Sequence, residues 1–133
     1  MLTLPLRLRP GDDLRGAVVA ALLASGQQAG FVLQGIGSLS VAQLRYAGQP
    51  QATALRGDLE ILTLAGSIAP DGAHLHMSVS DARGQVFGGH VGPGCVVRTT
   101  AELLLALLPE RRFTREHDPL TGYPELRIDS IPD

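Results

Sequence analysis

Three histidines in the middle of the chain have the side chains and the spacing for metal chemistry. His74 and His76 are separated by one residue, and His90 lies 14 residues beyond His76. Side chains two residues apart on a β-strand point to the same face, so the first two imidazoles would share one surface. Imidazole nitrogen is a preferred ligand of Zn²⁺, and three protein ligands with one open position are typical of catalytic zinc. Whether His90 joins the pair depends on how the intervening chain folds.

Residues 74–80 predict the first strand of a β-hairpin. Polar and apolar side chains alternate there without exception, and the apolar set is Leu75, Met77 and Val79. The next four residues, from Asp81 to Gly84, suit a type I turn followed by glycine in the left-handed conformation. We therefore expect a three-residue hairpin loop at 82–84.

This loop length sets the pairing of the two strands. It places His76 opposite His90 on the face that also carries His74, while Phe87 and Val91 join the apolar face. A two-residue turn would shift the register by one and move Phe87 and Val91 to the polar face. The apolar pattern therefore favours a Zn²⁺ site formed by His74, His76 and His90. Two alternatives stay open: a polar sheet face that happens to contain histidines, and a hydrogen-bonded histidine network.

Other reactive side chains are weaker candidates. Cys95 lies between apolar residues, which favours a buried structural thiol over a nucleophile or a fourth ligand. Glu60 is a candidate general base or partner of the histidines, although a solvated glutamate is the simpler interpretation. Ser78 and Ser80 share the histidine face but lack a nucleophile elbow. His117 is expected in a charged surface turn.

Composition and charge narrow the classes of function. The 133 residues suit one domain, 1–133, and 11 arginines against 13 acidic residues leave a formal net charge of −2. The absence of lysine excludes Schiff-base chemistry, and the lack of a basic excess disfavours nucleic-acid binding. Arg111, Arg112 and Arg115 are expected on a solvated face, with phosphate contact as the alternative. The longest apolar run, Ala17 to Ala24, is too short to span a bilayer, and no signal peptide is evident, so we expect a cytoplasmic protein.

The surrounding elements predict a mixed fold. Residues 2–8 alternate as a strand, with Pro5 on an edge or at a bulge. Asp12 is expected to cap a helix over about 13–24 that ends at Gly26. The helix has one apolar face, formed by Leu14, Val18, Ala21 and Leu22. Short strands joined at Gly37-Ser38 are expected between 31 and 46.

Two later segments are harder to interpret. A strand is expected over 54–66. Strict alternation places Leu59, Ile61 and Thr63 on one side and Glu60, Leu62 and Leu64 on the other. Residues 99–108 suit either a capped leucine-rich helix or a buried strand.

Several short motifs, taken in order, resemble the Plants and Prokaryotes Conserved (PPC) domain. They are the run Gly35 to Arg45, Gly57 to Leu62, His74-Leu-His76, Gly88-Gly-His90, Thr99-Thr-Ala-Glu102 and Thr121-Gly-Tyr123. The resemblance extends to about Ile128. It implies an α+β fold with a large antiparallel sheet and a packed helix, it makes 99–108 a strand, and it implies a homotrimer.

The resemblance also bears on function. In plants the domain accompanies AT-hooks, but this chain has no Arg-Gly-Arg-Pro core, and it departs from the plant partner-binding motif at Asp58 and Leu59. Stand-alone prokaryotic members are described as candidate DNA-binding proteins. Members with this histidine pattern look like metal binders, and the fold resembles that of acetolactate decarboxylase, a zinc lyase. The resemblance therefore implies a zinc-binding trimer that holds a small anionic ligand or has a regulatory binding role. Two alternatives stay open: a DNA-binding protein, and a zinc-dependent lyase or hydrolase.

Overall fold

Segments with alternating polarity form one six-stranded antiparallel sheet in the computed structural model, which describes residues 1–133. The strands are β1 Leu2–Leu8, β2 Gly30–Arg45, β3 Thr53–Ala69, β4 Gly72–Ser80, β5 Val86–Val91 and β6 Val96–Leu107. Their order is β1-β6-β2-β3-β4-β5, and β5 also pairs with the end of β2. The sheet therefore curls until its β5 edge meets β2. The predicted α+β class with a large antiparallel sheet is confirmed.

The one helix, α1 (Leu14–Ser25), packs its apolar face against this sheet. Leu14, Val18 and Leu22 are fully buried, as their spacing predicts. Gly26 ends the helix in the left-handed conformation, with φ 74°. No helix of the structure is long and apolar enough to cross a membrane.

The predicted helix cap is wrong by one residue. The carboxylate of Asp13 accepts a hydrogen bond from the Gly16 amide at 2.8 Å and a second from the Gly94 amide at 2.7 Å. Asp12 instead accepts from the Arg9 amide at 2.9 Å. Asp13 therefore connects the start of the helix to the loop before β6. Capping preferences describe only neighbouring residues, so they do not predict this long-range contact.

The predicted break at Gly37-Ser38 is also wrong, because β2 runs through it. A Cβ atom at Gly37 would lie 2.5 Å from the carbonyl oxygen of Thr100, so the glycine permits close contact with β6 rather than a turn. In β3, the register shifts between Ile61 and Thr63. This irregularity buries Leu64 in place of Thr63.

The leucine-rich segment forms strand β6, as the family resemblance implies and against its local helix signal. It pairs with β1 on one side and β2 on the other. Ala101, Leu103 and Leu105 alternate into the core. Pro5 lies opposite Leu104 on β1, which is an edge strand. Proline has no N–H to donate, and an edge strand tolerates this because it pairs on one side only.

The last residues form a separate two-stranded hairpin of β7 (Arg111–Asp118) and β8 (Tyr123–Ser130). Phe113 anchors it: the ring is 1% exposed and meets Phe31 edge-to-face, with centroids 5.6 Å apart. Its amide donates to the carbonyl of Gln28 at 3.0 Å. His117 lies exposed on β7 rather than in the predicted turn, because pairing with β8 extends through it to Asp118. The anchored hairpin brings β7 alongside β3.

Candidate metal centre

The β4–β5 hairpin has the predicted register. The Asp81 amide donates to the carbonyl of Gln85 at 3.0 Å, and Gly84 has φ 77°, as a three-residue loop with left-handed glycine requires. His76 consequently lies directly opposite His90. The apolar partners fall on the other face, where Leu75, Met77, Val79 and Val91 are buried and Phe87 is half-buried. Burial of that face holds the three imidazoles on the outer surface of the sheet.

The three side chains converge closely enough to bind one ion. Ring centroids are 5.0 Å apart for His74 and His76, 5.2 Å for His74 and His90, and 5.7 Å for His76 and His90. One nitrogen from each ring lies within 4.8 Å of the other two. We call this group the histidine triad.

The donor set fits a metal ion of the size of zinc. Zinc–nitrogen bonds of about 2.0–2.1 Å in a tetrahedral site place ligand nitrogens about 3.3 Å apart. The Nε2 atoms of His74 and His76 are 3.2 Å apart already. His90 is only partly buried, so its ring is free to rotate about the side-chain torsions when an ion binds.

The electrostatic surroundings keep two of these rings neutral. Burial, followed by the nearby Arg45 guanidinium, lowers the pKa of His90 to about 4. The pKa of His74 is also lowered, first by burial and then by His76. A metal ligand must present an unprotonated nitrogen, so protons compete weakly with a cation at neutral pH.

A glycine on the neighbouring strand is needed for this arrangement. A Cβ atom at Gly66 would lie 2.0 Å from the carbonyl oxygen of His74, and the residue has φ 154°. The pairing of β3 with β4 therefore admits only glycine at this position without a shift of the backbone that carries His74. This role of Gly66 was not predicted from the sequence, because the local pattern does not show which strand lies beside it.

The weaker candidates lie outside the triad. Cys95 is buried, and its Sγ is 3.2 Å from the amide nitrogen of Gln43; burial raises the pKa of the thiol, in keeping with a structural role. Ser78 Oγ is 2.9 Å from Thr63 Oγ1, and Ser80 donates to a backbone carbonyl at 3.3 Å, so neither is paired with a histidine.

Glu60 is not placed to act on the triad. It lies opposite Ser80 at the far end of β4 and lines a separate groove of about 610 Å³ that also contains Arg98. Glu60 is exposed, in keeping with a solvated glutamate. Its alternative place beside the histidines is wrong, because the β3–β4 register puts Ala65 opposite His76.

His74 and His90 line one side of a cleft of about 670 Å³. Three arginines from separate elements also line it: Arg15 on α1, Arg45 at the end of β2 and Arg115 on β7. Arg115 therefore faces this cleft, while Arg111 and Arg112 are exposed as expected. Arg15 and Arg45 were not predicted as site residues, because no local pattern shows that residues so far apart in sequence line the same cleft.

Comparison with known proteins places these residues in a wider group. Residues 1–109 match the family described as the Plants and Prokaryotes Conserved (PCC) domain, for which PPC is an alternative abbreviation. A bifunctional protein GlmU from Synechococcus sp. (strain JA-2-3B'a(2-13)) is 54% identical over 127 residues, which are 96% of this chain and 20% of that protein. The chain thus spans about a fifth of the length of the curated relatives it matches.

Solved structures share the fold. A protein from Salmonella enterica, described as hypothetical, has a TM-score of 0.93 at 40% identity, covering 97% of this chain and 94% of its own. A protein from Archaeoglobus fulgidus, described as metal-containing, has a TM-score of 0.77 at 28% identity, covering 94% and 92%. A protein from Ralstonia eutropha, described as a candidate DNA-binding protein, has a TM-score of 0.76 at 28% identity, covering 92% and 89%.

Proposed function

We propose a metal-binding function for this chain, which belongs to the Plants and Prokaryotes Conserved (PCC) domain family. The histidine triad binds one Zn²⁺ ion. The observation that carries this proposal is the convergence of three ring nitrogens within 4.8 Å of one another on a rigid hairpin. The Archaeoglobus fulgidus protein of the same fold, described as metal-containing, supports it.

Zinc suits the donor set better than the other common ions. Three imidazoles with no carboxylate among them disfavour Mg²⁺ and Ca²⁺, which take oxygen ligands. Cu²⁺ prefers a tetragonal arrangement, whereas three ligands from one face of a sheet match three corners of a tetrahedron.

The zinc ion serves a binding role for a small ligand. Structural zinc sites are closed by four protein ligands, whereas the triad supplies three and leaves one position for another molecule. Because His74 and His90 line the cleft, that position is accessible to a molecule bound there. The likeness to acetolactate decarboxylase and the lyase or hydrolase alternative stay predictions.

A homotrimer is part of the same proposal. Neighbouring strands β2, β3 and β6 expose large apolar side chains: Phe31, Leu33, Ile36, Leu62 and Leu104, each 36–49% exposed. Large exposed apolar side chains on three neighbouring strands are typical of an interface between protein chains. Phe31 also borders a groove that contains His74 and His76, so the proposed interface adjoins the triad.

DNA binding is the second candidate, favoured by the name of the Ralstonia eutropha relative. The net charge of −2 disfavours binding to a phosphate backbone. Three of the arginines line a cleft, which leaves fewer of them for contacts with DNA phosphates. A gel shift at low salt tests it, and we expect no retarded band. A retarded band whose affinity falls steeply with salt would favour DNA instead.

Metal analysis tests the zinc site directly. Protein purified without chelators should contain about one zinc ion per chain by elemental analysis. His90→Ala should lose the metal, whereas His117→Ala should retain it, because His117 is the one histidine outside the triad. Equal zinc contents in the two variants, or metal-free wild-type protein that does not take up added zinc, would refute the proposal.

A further inference from the structure

We propose that the cleft beside the triad binds a small oxyanion, a carboxylate or phosphate group, whose charge is held by Arg15, Arg45 and Arg115 while the ligand reaches the metal position. This inference rests on the proposed zinc site and names the chemical class of its ligand.

The first support is an excess of positive charge. None of the three arginines has a carboxylate oxygen within 4.0 Å, since the ion pairs of the structure involve only Arg98 and Arg127. The cleft contains one acidic side chain, Glu125, whose Oε1 accepts a hydrogen bond from Thr121 at 3.1 Å. Three guanidinium groups against one carboxylate leave two positive charges uncompensated before any metal binds. An anion is the ligand that such a cleft attracts most strongly.

The second support is the way the arginines are held. The Nε of Arg15 donates to the carbonyl of Ala73 at 3.2 Å, next to His74 in the chain, so its four terminal N–H groups have no partner. One terminal nitrogen of Arg115 donates to Ser67 Oγ at 3.0 Å, and Ser67 lies opposite His74 in the β3–β4 ladder. Both guanidinium groups are thus positioned beside His74 with several donors still available. Positioned guanidinium forks match the geometry of carboxylate and phosphate oxygens.

Arg45 adds a third guanidinium to the cleft, beside His90. It lies directly opposite His90 in the β2–β5 ladder, which places both side chains on one face. The three cations therefore come from α1, β2 and β7, and they line the cleft together with His74 and His90. The cleft volume of about 670 Å³ suits a small metabolite rather than a polymer.

One wall of this cleft lies outside the segment that matches the family. Arg115, Tyr123, Pro124 and Glu125 belong to the β7–β8 hairpin, whereas the match covers residues 1–109. The hairpin therefore supplies one of the three cations of the cleft, Arg115, from outside the matched residues.

Calorimetric titration of the zinc-loaded protein with inorganic phosphate and, separately, with malonate tests the inference at constant ionic strength. We expect at least one of the two anions to bind. Arg115→Gln should weaken that binding roughly tenfold or more, because a hydrogen bond to a charged group is lost. The matched control is Arg83→Gln, which removes an exposed arginine from the β4–β5 loop. Binding of phosphate alone indicates a phosphorylated ligand, and binding of malonate alone indicates a carboxylate.

Zinc content, measured on every sample, separates this inference from the zinc proposal. If the protein holds zinc but binds neither anion, or if Arg115→Gln and Arg83→Gln bind equally well, the anion site is refuted and the zinc site stands. If wild-type protein takes up no zinc, both proposals fail. Arg115→Gln with normal zinc content and weakened anion binding supports the anion site, since loss of the fold would also have removed the metal.

Discussion

Arg45 and His90 lie directly opposite each other where β2 and β5 pair. The ladder between these two strands contains only two residue pairs. It places the guanidinium of Arg45, which is always charged, beside the imidazole of His90. The relationship links the fold of the sheet to the protonation of the candidate metal centre.

The first prediction concerns pH. His90 of the metal-free protein should titrate near pH 4 in an NMR experiment, because burial and then Arg45 disfavour its charged form. Arg45→Gln should move that midpoint part of the way toward 6.5, since burial remains. Arg83→Gln should leave it unchanged. A midpoint near 6.5 in the wild-type protein would contradict the described surroundings of His90.

The same shift has a consequence for stability. The unfolded chain protonates this histidine near pH 6.5 and the folded chain only near pH 4, so between these values the unfolded state binds more protons. The free energy of unfolding of the metal-free protein should therefore fall as the pH is lowered through this window. His90→Gln should reduce that dependence, as measured by urea denaturation at several pH values.

The second prediction concerns Gly66. Gly66→Ala should lower both the thermal midpoint and the affinity for zinc, because the new methyl group would overlap the carbonyl oxygen of His74. Gly57→Ala is the matched control: Gly57 also has a positive φ, 127°, but no atom lies within 4 Å of its Cβ position. Equal zinc affinity in the two variants would mean that Gly66 does not position His74.

The third prediction concerns the helix cap. Asp13→Ala should reduce the free energy of unfolding by about 1–2 kcal/mol, because the amides of Gly16 and Gly94 both lose an acceptor. Asp71→Ala removes an exposed aspartate from the turn before β4 and should change stability little. Chemical denaturation of both variants measures the difference. A cost for Asp71→Ala as large as that for Asp13→Ala would contradict the assigned cap.

The fourth prediction concerns assembly. Three chains of 14.0 kDa give a trimer of about 42 kDa, which light scattering coupled to size-exclusion chromatography can measure. Ile36→Glu should lower that mass, because it places a charge in the exposed apolar surface of β2, β3 and β6. Leu120→Glu alters a residue that is 94% exposed in the β7–β8 turn and should leave the mass unchanged. A wild-type mass of 14 kDa would refute the trimer.

Much of the candidate site was predictable because its information is local. The alternation over residues 74–80 and the turn chemistry of Asp81 to Gly84 lie within one hairpin, and both depend on neighbouring residues alone. The register that pairs His76 with His90 then follows from counting. The apolar face of α1 and its end at Gly26 were predictable for the same reason.

Other features depended on contacts that local patterns do not contain. Residues 99–108 have a helix-like local pattern, yet strands on both sides make them β6. Asp13 rather than Asp12 caps the helix because it also reaches Gly94, 81 residues away. The shift in β3 that buries Leu64 arises from its pairing with β4.

The family, the histidine hairpin and the two faces of that hairpin could be inferred from the order of residues, since strand periodicity, turn geometry and short motifs each depend on nearby residues. The surroundings of the triad, in contrast, depend on how distant segments pack together. The fold separates Glu60 from the triad, requires Gly66 beside His74, and brings Arg15, Arg45 and Arg115 to one cleft. Side chains distant in sequence become neighbours only through the curl of the sheet and the docking of α1 and the C-terminal hairpin, and local patterns contain neither.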